Sequence, residues 1–389
     1  MADARETWIT GIGIVSCLGE GTDAHWQGLN APAPAPDSTS FAPYPVHRIV
    51  PLDLDKQIPK KGDQRQMEQW QRLGTYAAGL ALDSAGVKGK PDFLSRMDMI
   101  VAAGGGERDA QVDLNVVAGA AKAAKPEAFV NERLMNDLRP TLFLAQLSNL
   151  LAGNISIVHG VTGSSRTFMG EEQSGVDAVR IAHARIAAGQ SELALAGGAY
   201  NAERWEVMLH FALGRRLARG ETKPVWQRGG MELGTIGAFL VLEEKAHAQK
   251  RGAQPFARLA AITSDHVKRT PGAVTAALEK MWGTVAPKLK AGEAAVISGA
   301  SGVLPETAEE RAFLEKHGLA FRASGTHLGH GLEPQFPANI ALAAAALRAG
   351  KLFPPEDASE KAMDGQLRQV VVTSIGHWRG EGLALVEAV

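Results

Sequence analysis

The sequence predicts a layered α/β fold, with helices covering the faces of a sheet built from long buried strands. Three observations predict it. Apolar runs of strand length recur along the chain, among them Met99–Ala103, Leu193–Gly198, Ala294–Ser298 and Gln369–Ser374. Helix-length stretches such as Gly272–Lys288 and Pro337–Ala349 alternate with them. A chain of 389 residues is also long enough for two domains or for one duplicated α/β body.

The first element is a glycine-interrupted strand over Trp8–Ser16, followed by a helix around Ala24-His25-Trp26. Gly11 and Gly13 do not make a dinucleotide loop, because the third glycine and the helix start are wrong for that fingerprint. Residues 31–36 alternate Ala and Pro and predict a stiff, extended surface segment. Lys60, Lys61 and Arg65 open a helix that runs through Leu73, Ala77, Leu80 and Ala81, and as charged residues they belong on its solvated start. Met99–Ala103 reads as a core strand ended by Gly104–Gly106. From Glu107 to Asn154 the pattern is helical and amphipathic, and the cluster Leu142, Phe143, Leu144, Leu147, Leu150 and Leu151 reads as core.

The run from Gly163 to Val179 predicts a tight turn, a short strand and then a long helix reaching Gly189. Val176, Val179, Ile181, Ala182 and Ile186 repeat at helical spacing, so one face of that helix is buried. Glu172 falls where strand hands over to helix, among backbone N–H groups with no partner inside the helix. The positive end of the helix favours an anion there. Strands over Leu193–Gly198 and Ile236–Glu243 complete a first half, 1–240. The second half, 241–389, carries strands at Ala257–Ser264, Ala294–Ser298, Gln369–Ser374 and Leu383–Ala388, and helices at Gly272–Lys288, Thr307–His317 and Pro337–Ala349.

Composition removes several function classes. The chain has 41 basic and 42 acidic residues, which gives no bias toward nucleic acid or an anionic membrane. Cys17 is the one cysteine, which excludes an intrachain disulfide, fits a reducing cytoplasm and reads as a small buried residue. No secretory signal and no membrane-spanning apolar run is visible, so a cytoplasmic protein is expected.

The stretch "QLSNLLAGNISIVHGVTGSS" and the continuation "SGVDAVRIAHARIAAGQSELALAGG" resemble the nucleophile region of β-ketoacyl-ACP synthases. The opening "ITGIG-VS-LG-G---W--L" is similar to the first strand and helix of the same family. The resemblance implies a thiolase-like fold, a duplicated five-layer αβαβα arrangement. In that family the residue at the start of the buried helix is a cysteine that takes the acyl chain. Counting from either side places Glu172 at that position.

The other family positions follow from their motifs. The strand-end motif with the first histidine matches Val296–Gly302, and Gly299 stands where the histidine should be. The lysine-to-histidine motif matches Gly325-Thr326-His327-Leu328-Gly329-His330, which retains His330 and replaces the lysine with Gly325. Apart from the resemblance, His330 reads as a hydrogen-bonded core histidine. In the closing glycine-rich turn His377 replaces a gating phenylalanine, and bulky Trp378 and Arg379 replace small residues. The resemblance further implies docking of an acidic acyl carrier protein by Lys60, Lys61 and Arg65, and a dimer interface and acyl tunnel within the 107–154 segment.

Condensation in the family needs a thiolate that holds the acyl group and two histidines that stabilise an enolate. A carboxylate at a helix start is stabilised as an anion and is a poor nucleophile, and an anhydride formed on it would be more labile than the thioester. Losing one oxyanion donor typically costs ~10²–10³ in rate. Only one of four catalytic positions is kept, so the expectation is a non-condensing partner that shapes the acyl channel of an active synthase. This resembles the chain-length-factor branch, whose members carry glutamine at the cysteine position; here Gln173 lies one residue later. The chain also looks like the synthase-like proteins of alphaproteobacterial gene sets for very-long-chain acyl groups of lipid A.

Two alternatives stay open. One is a malonyl-ACP decarboxylase or acyltransferase with a rearranged Glu172/His330 site, and the other is a homodimeric acyl-ACP-binding scaffold. His327 and His377 could join His330 and Glu172 in one cluster. No local ligand spacing supports a metal there, and no cofactor is expected. The expected partners are acyl carrier protein and either an active ketosynthase subunit or a second copy of the chain, with no nucleic acid and no membrane span.

Overall fold

A computed structural model describes residues 4–137, 144 and 146–389. Ten strands matter for the site: β1 (Thr7–Ser16), β2 (Asp98–Ala102), β3 (Ser165–Phe168), β4 (Leu193–Tyr200), β5 (Ile236–Glu244), β6 (Ala257–Asp265), β7 (Ala294–Ser298), β8 (Ala320–Ala323), β9 (Gln369–Ile375) and β10 (Glu381–Glu387). Their spatial order is β8-β7-β9-β10-β6-β1-β5-β4-β2-β3. Read outward from the middle, the first half runs β1-β5-β4-β2-β3 and the second runs β6-β10-β9-β7-β8, the same order repeated. In each half the two outermost pairings are parallel and the inner ones antiparallel. The ladder between the two half-sheets runs through three residue pairs, Thr7–Leu259, Trp8–Arg258 and Ile9–Ala257.

The principal helices are α1 (Gly21–Leu29), α2 (Lys61–Gln66), α3 (Gln69–Ser84), α4 (Ala110–Ala120), α5 (Pro126–Asn136), α6 (Leu150–His159), α7 (Glu171–Ala187), α8 (Trp205–Leu213), α9 (Ala273–Val285), α10 (Glu306–His317) and α11 (Gln335–Ala349). α7 and α11 touch each other and strands of both half-sheets, so they form a central layer. α3 and α6 cover the outside of the first half, and α9 and α10 cover the outside of the second. The five layers implied by the resemblance are therefore present. With both faces covered, β1, β2, β4, β7 and β9 are buried along their whole length, as near-continuous apolar strands should be. α11 is buried from Gln335 to Leu347, because a helix apolar all round has no face to give to water. α7 buries one stripe, including Glu172, Gly175, Val176, Val179, Ala182 and Ile186. At Gly175 a side chain would meet the Glu333 carbonyl oxygen at 2.1 Å, so the two central helices begin in backbone contact.

The strands and helices expected in the second half lie where the pattern places them, within a few residues at each end. The expected continuous helical segment from Glu107 to Asn154 does not form. Pro126 starts a new helix, since it lacks an N–H and cannot sit inside one, and the stretch splits into α4, α5 and α6. Neither α4 nor α5 has a buried residue, and they pack on each other. In the expected leucine core, Leu151 is buried while Leu144 and Leu147 are exposed; Leu142 and Phe143 lie outside the described residues. Glu107 is not helical. Its buried carboxylate caps α3 by accepting from the N–H groups of Gln69 and Trp70.

Candidate functional site

The site lies where the two central helices begin. β3 passes to α7 through Met169 and Gly170, with Gly170 at φ 124° and Glu171 at φ 50°. A left-handed glutamate is an uncommon, strained conformation. It turns the chain sharply enough to bury Glu172, 1% exposed, inside the first turn. His330 arrives on the segment before α11, fixed by its N–H to the Glu232 carbonyl (2.8 Å) and by its carbonyl to the N–H of Gly234 (3.0 Å). His377 sits in the turn between β9 and β10, closed by the Gly376 N–H to the Gly380 carbonyl (2.8 Å). Arg269 reaches across to the Gly376 carbonyl (2.5 Å) and pairs with Glu381, pinning that turn.

These elements bring three of the sequence candidates together. His330 Nε2 donates to Glu172 Oε1 at 2.8 Å. His377 donates to Glu172 from its backbone N–H (3.2 Å) and from Nδ1 (3.1 Å). The far side of the His377 ring presents Nε2 to Glu171 at 3.7 Å, and the Phe211 ring meets it edge-on at 5.4 Å between centroids. Burial alone would raise the Glu172 carboxyl; the charge of His377 and the hydrogen bonds from both histidines overcome this and hold it well below the usual carboxylate range. Burial alone would lower the His377 imidazole, and the two carboxylates raise it instead. Above this cluster the Trp378 indole N–H is bonded to Glu171, and the Arg379 guanidinium stacks 4.4 Å over the Trp378 ring.

Glu171, Glu172 and His377 have donor atoms close enough to share a cation. The ring lies between the two carboxylates, with one nitrogen toward each, which is the arrangement of an imidazolium between two anions. A protonated ring nitrogen has no lone pair for a metal.

The remaining candidates stand apart. His327 faces Glu356 (3.4 Å) and the Ala31 carbonyl (3.4 Å), and does not join the cluster. At Gly299 a side chain would meet the Thr373 carbonyl oxygen at 2.8 Å, and at Gly325 it would meet Val225 Cγ2 at 3.0 Å. A side chain would be crowded at both positions, by backbone at Gly299 and by a valine methyl at Gly325. Lys60, Lys61 and Arg65 are exposed at α2, with Lys61 paired to Asp55 at 2.5 Å.

Sequence reasoning missed Glu333. It precedes α11, is buried, has no partner for Oε2 among the described residues, and fits beside Gly104, where a side chain would meet Glu333 Oε1 at 2.4 Å. Burial, and then the charges of Glu172 and Glu171, push its carboxyl up to about 7. The available signal was an acid three residues after His330, at the head of an apolar helix. Tyr200 shares the neighbourhood; burial raises its phenol, and its buried hydroxyl lacks a partner among the described residues.

The family described as "Beta-ketoacyl synthase, N-terminal domain" matches residues 4–248. A 3-oxoacyl-[acyl-carrier-protein] synthase 2 of Vibrio harveyi is 26% identical over 268 residues, covering 66% of this chain and 61% of the relative. The oxytetracycline polyketide putative β-ketoacyl synthase 1 of Streptomyces rimosus is 28% identical over 272 residues, covering 66% and 62%. The chain thus matches about three fifths of these relatives' own length. Among solved structures, the ishigamide ketosynthase/chain length factor superposes with a TM-score of 0.79 at 18% identity, covering 99% of this chain and 100% of that one. A β-ketoacyl synthase from Burkholderia phymatum STM815 gives 0.78 at 18% identity with the same coverage. The AntDE:AntF complex, a type II PKS acyl-carrier protein with its ketosynthase, gives 0.77 at 16%, covering 99% and 100%. The shared fold is the thiolase-like one.

Proposed function

This chain belongs to the β-ketoacyl synthase family, and from that premise we propose that it is a non-condensing partner, shaping the acyl channel of an active synthase. One observation carries the reading: Glu172, at the nucleophile position, is a buried carboxylate already saturated by His330 and His377. An anion held this way gives up hydrogen bonds and charge pairing before it can attack a thioester. The crowding at Gly299 and Gly325 supports the same reading, because a larger side chain at either position would have to displace its neighbours.

The surface offers places for the partners. β3 is an edge strand paired only to β2 among the described residues. Near it lie exposed apolar residues, Ile157 on α6 and Met169 in the turn after β3; Leu114 and Val117 on α4 and Leu134 and Met135 on α5 are exposed as well. An open edge and uncovered apolar side chains suit a second thiolase-like subunit. Lys60, Lys61 and Arg65 would steer the acidic carrier protein. The acyl class is a carrier-bound fatty or polyketide chain, with the very-long-chain acyl groups of lipid A as the narrower assignment.

The test incubates the purified chain with malonyl-ACP and acyl-ACP, alone and with candidate synthases, and follows protein mass, CO₂ and subunit stoichiometry. The expected outcome is no acyl adduct on this chain, no CO₂ release by it alone, and a mixed dimer whose product length differs from that of the synthase by itself. Release of CO₂ that is lost in Glu172→Ala would replace this reading with a decarboxylase. A homodimer that never exchanges subunits would replace it with a carrier-binding scaffold.

A further inference from the structure

α7 has a second end. Roughly 22 Å along its axis from Glu172, beyond Ala187, the two half-sheets part around a cleft of about 770 Å³. Arg5 and His183 reach it from the first half, and Arg258, Lys288, Lys290 and Arg368 from the second. Acids line it too, but they are engaged. Glu387 pairs with Arg258, Glu6 pairs with Lys245 and Arg258, and Glu293 lies 4.0 Å from Lys290. Arg5, Lys288 and Arg368 are left with no carboxylate partner among the described residues; the Arg368 side chain meets only the Gln366 amide oxygen, at 3.0 Å.

The backbone that carries the second-half cations is held by partly buried hydrogen bonds. The Gln369 side chain accepts from the Lys290 N–H (2.7 Å) and donates to the Lys288 carbonyl (2.9 Å), fixing the loop that carries both lysines. The N–H groups of Arg368 and Gln369 both donate to the Glu293 carbonyl. Burial first, and then the nearby charge of Lys288, take the His183 imidazole down to about 4, so it adds no positive charge at neutral pH. In the tautomer where Nδ1 accepts from the Thr7 hydroxyl (2.9 Å), Nε2 carries the proton and can donate it to an oxyanion.

Three cations that line one cleft without a carboxylate partner among the described residues make it favourable for an anion. The volume falls within the ~300–1,000 Å³ of small-molecule sites, and is larger than a single inorganic phosphate needs. Guanidinium forks suit the paired terminal oxygens of phosphoryl groups, and an ammonium adds a point charge. We infer that the seam cleft binds a small organic oligophosphate, whose di- or triphosphate group is shared by Arg5, Lys288 and Arg368. The site lies apart from Glu172 and does not depend on the function proposed above. Because its ligands come from both halves, occupancy ties the halves together and stabilises the fold by mass action.

The probes are tripolyphosphate and ADP, titrated into the full chain by calorimetry and followed by thermal melting. The expected result is saturable binding with a rise in the melting midpoint. The double variant Lys288→Ala/Arg368→Ala should weaken binding by roughly tenfold or more for each cation removed, while Lys250→Ala, an exposed lysine elsewhere, leaves it unchanged. Both substituted side chains are exposed, and far-UV circular dichroism verifies that the double variant is folded. Absence of saturable binding, equal weakening in Lys250→Ala, or citrate matching tripolyphosphate would each overturn the assignment.

Discussion

The two central helices begin in contact, each beside a carboxylate sealed from water, and the two carboxylates are driven in opposite directions. Glu172 at the start of α7 is held well below the usual range, while Glu333 just before α11 is pushed up to about 7. Burial is not the difference, since both are enclosed. The partners are: Glu172 has two imidazoles and a backbone N–H, whereas Glu333 faces other acids and leaves Oε2 unpartnered among the described residues. A helix start sets a favourable field for an anion, but specific hydrogen bonds and charges decide which acid ionises.

The largest effect should come from breaking the favourable side. His377→Phe strips Glu172 of its charged partner and should cost about 3–5 kcal/mol in denaturant unfolding. Adding Glu172→Gln should recover part of that loss, and the double-mutant cycle measures the coupling. Next is the unfavourable side. A raised acid pKa means the folded state holds its proton longer, so the stability that Glu333 contributes is full below about 4.5 and is lost as pH rises through about 7. Glu333→Gln should abolish this slope and gain about 3 kcal/mol over the parent at pH 8, read from urea curves across pH. If the variant is neutral at every pH, the two carboxylates do not differ as described. The other two groups have their own signs. Glu172 contributes stability above 4.5 that disappears as pH falls through its lowered value, and His377 contributes stability below 6.5 that disappears as pH rises through its raised value.

Gly299→Ala should cost about 1–3 kcal/mol by overpacking against Thr373, and Gly299→His should bring no condensing activity with it. The smallest effect belongs to the surface. Lys60→Ala with Arg65→Ala should leave stability within about 0.5 kcal/mol while weakening carrier-protein binding, most visibly at low salt.

Much of this arrangement was legible in the chain. Long apolar strands announce themselves because both faces are covered, and Ala294–Ser298 has the same limits in sequence and structure. Glu172 and His330, which the structure places in hydrogen-bond contact, were singled out because distinctive motifs flank them. Glu333 was not, because its perturbation comes from neighbours brought together only by folding, namely Glu171, Glu172 and the space left at Gly104. His327 reads as a neighbour of His330 in sequence, yet the short helix Gly325–Leu328 turns it toward Glu356. The segment from Glu107 onward misled because the apolar residues of α4 and α5 face no core of this chain among the described residues, and Pro126 divides the two helices.

The backbone closed around Gly299 has a consequence for engineering. The Thr373 carbonyl and the Asn339 amide crowd the space that a Cβ would take, so any larger side chain placed there first meets a clash. Installing a functional group at this position therefore requires β9 to be reshaped before the new group can be accommodated.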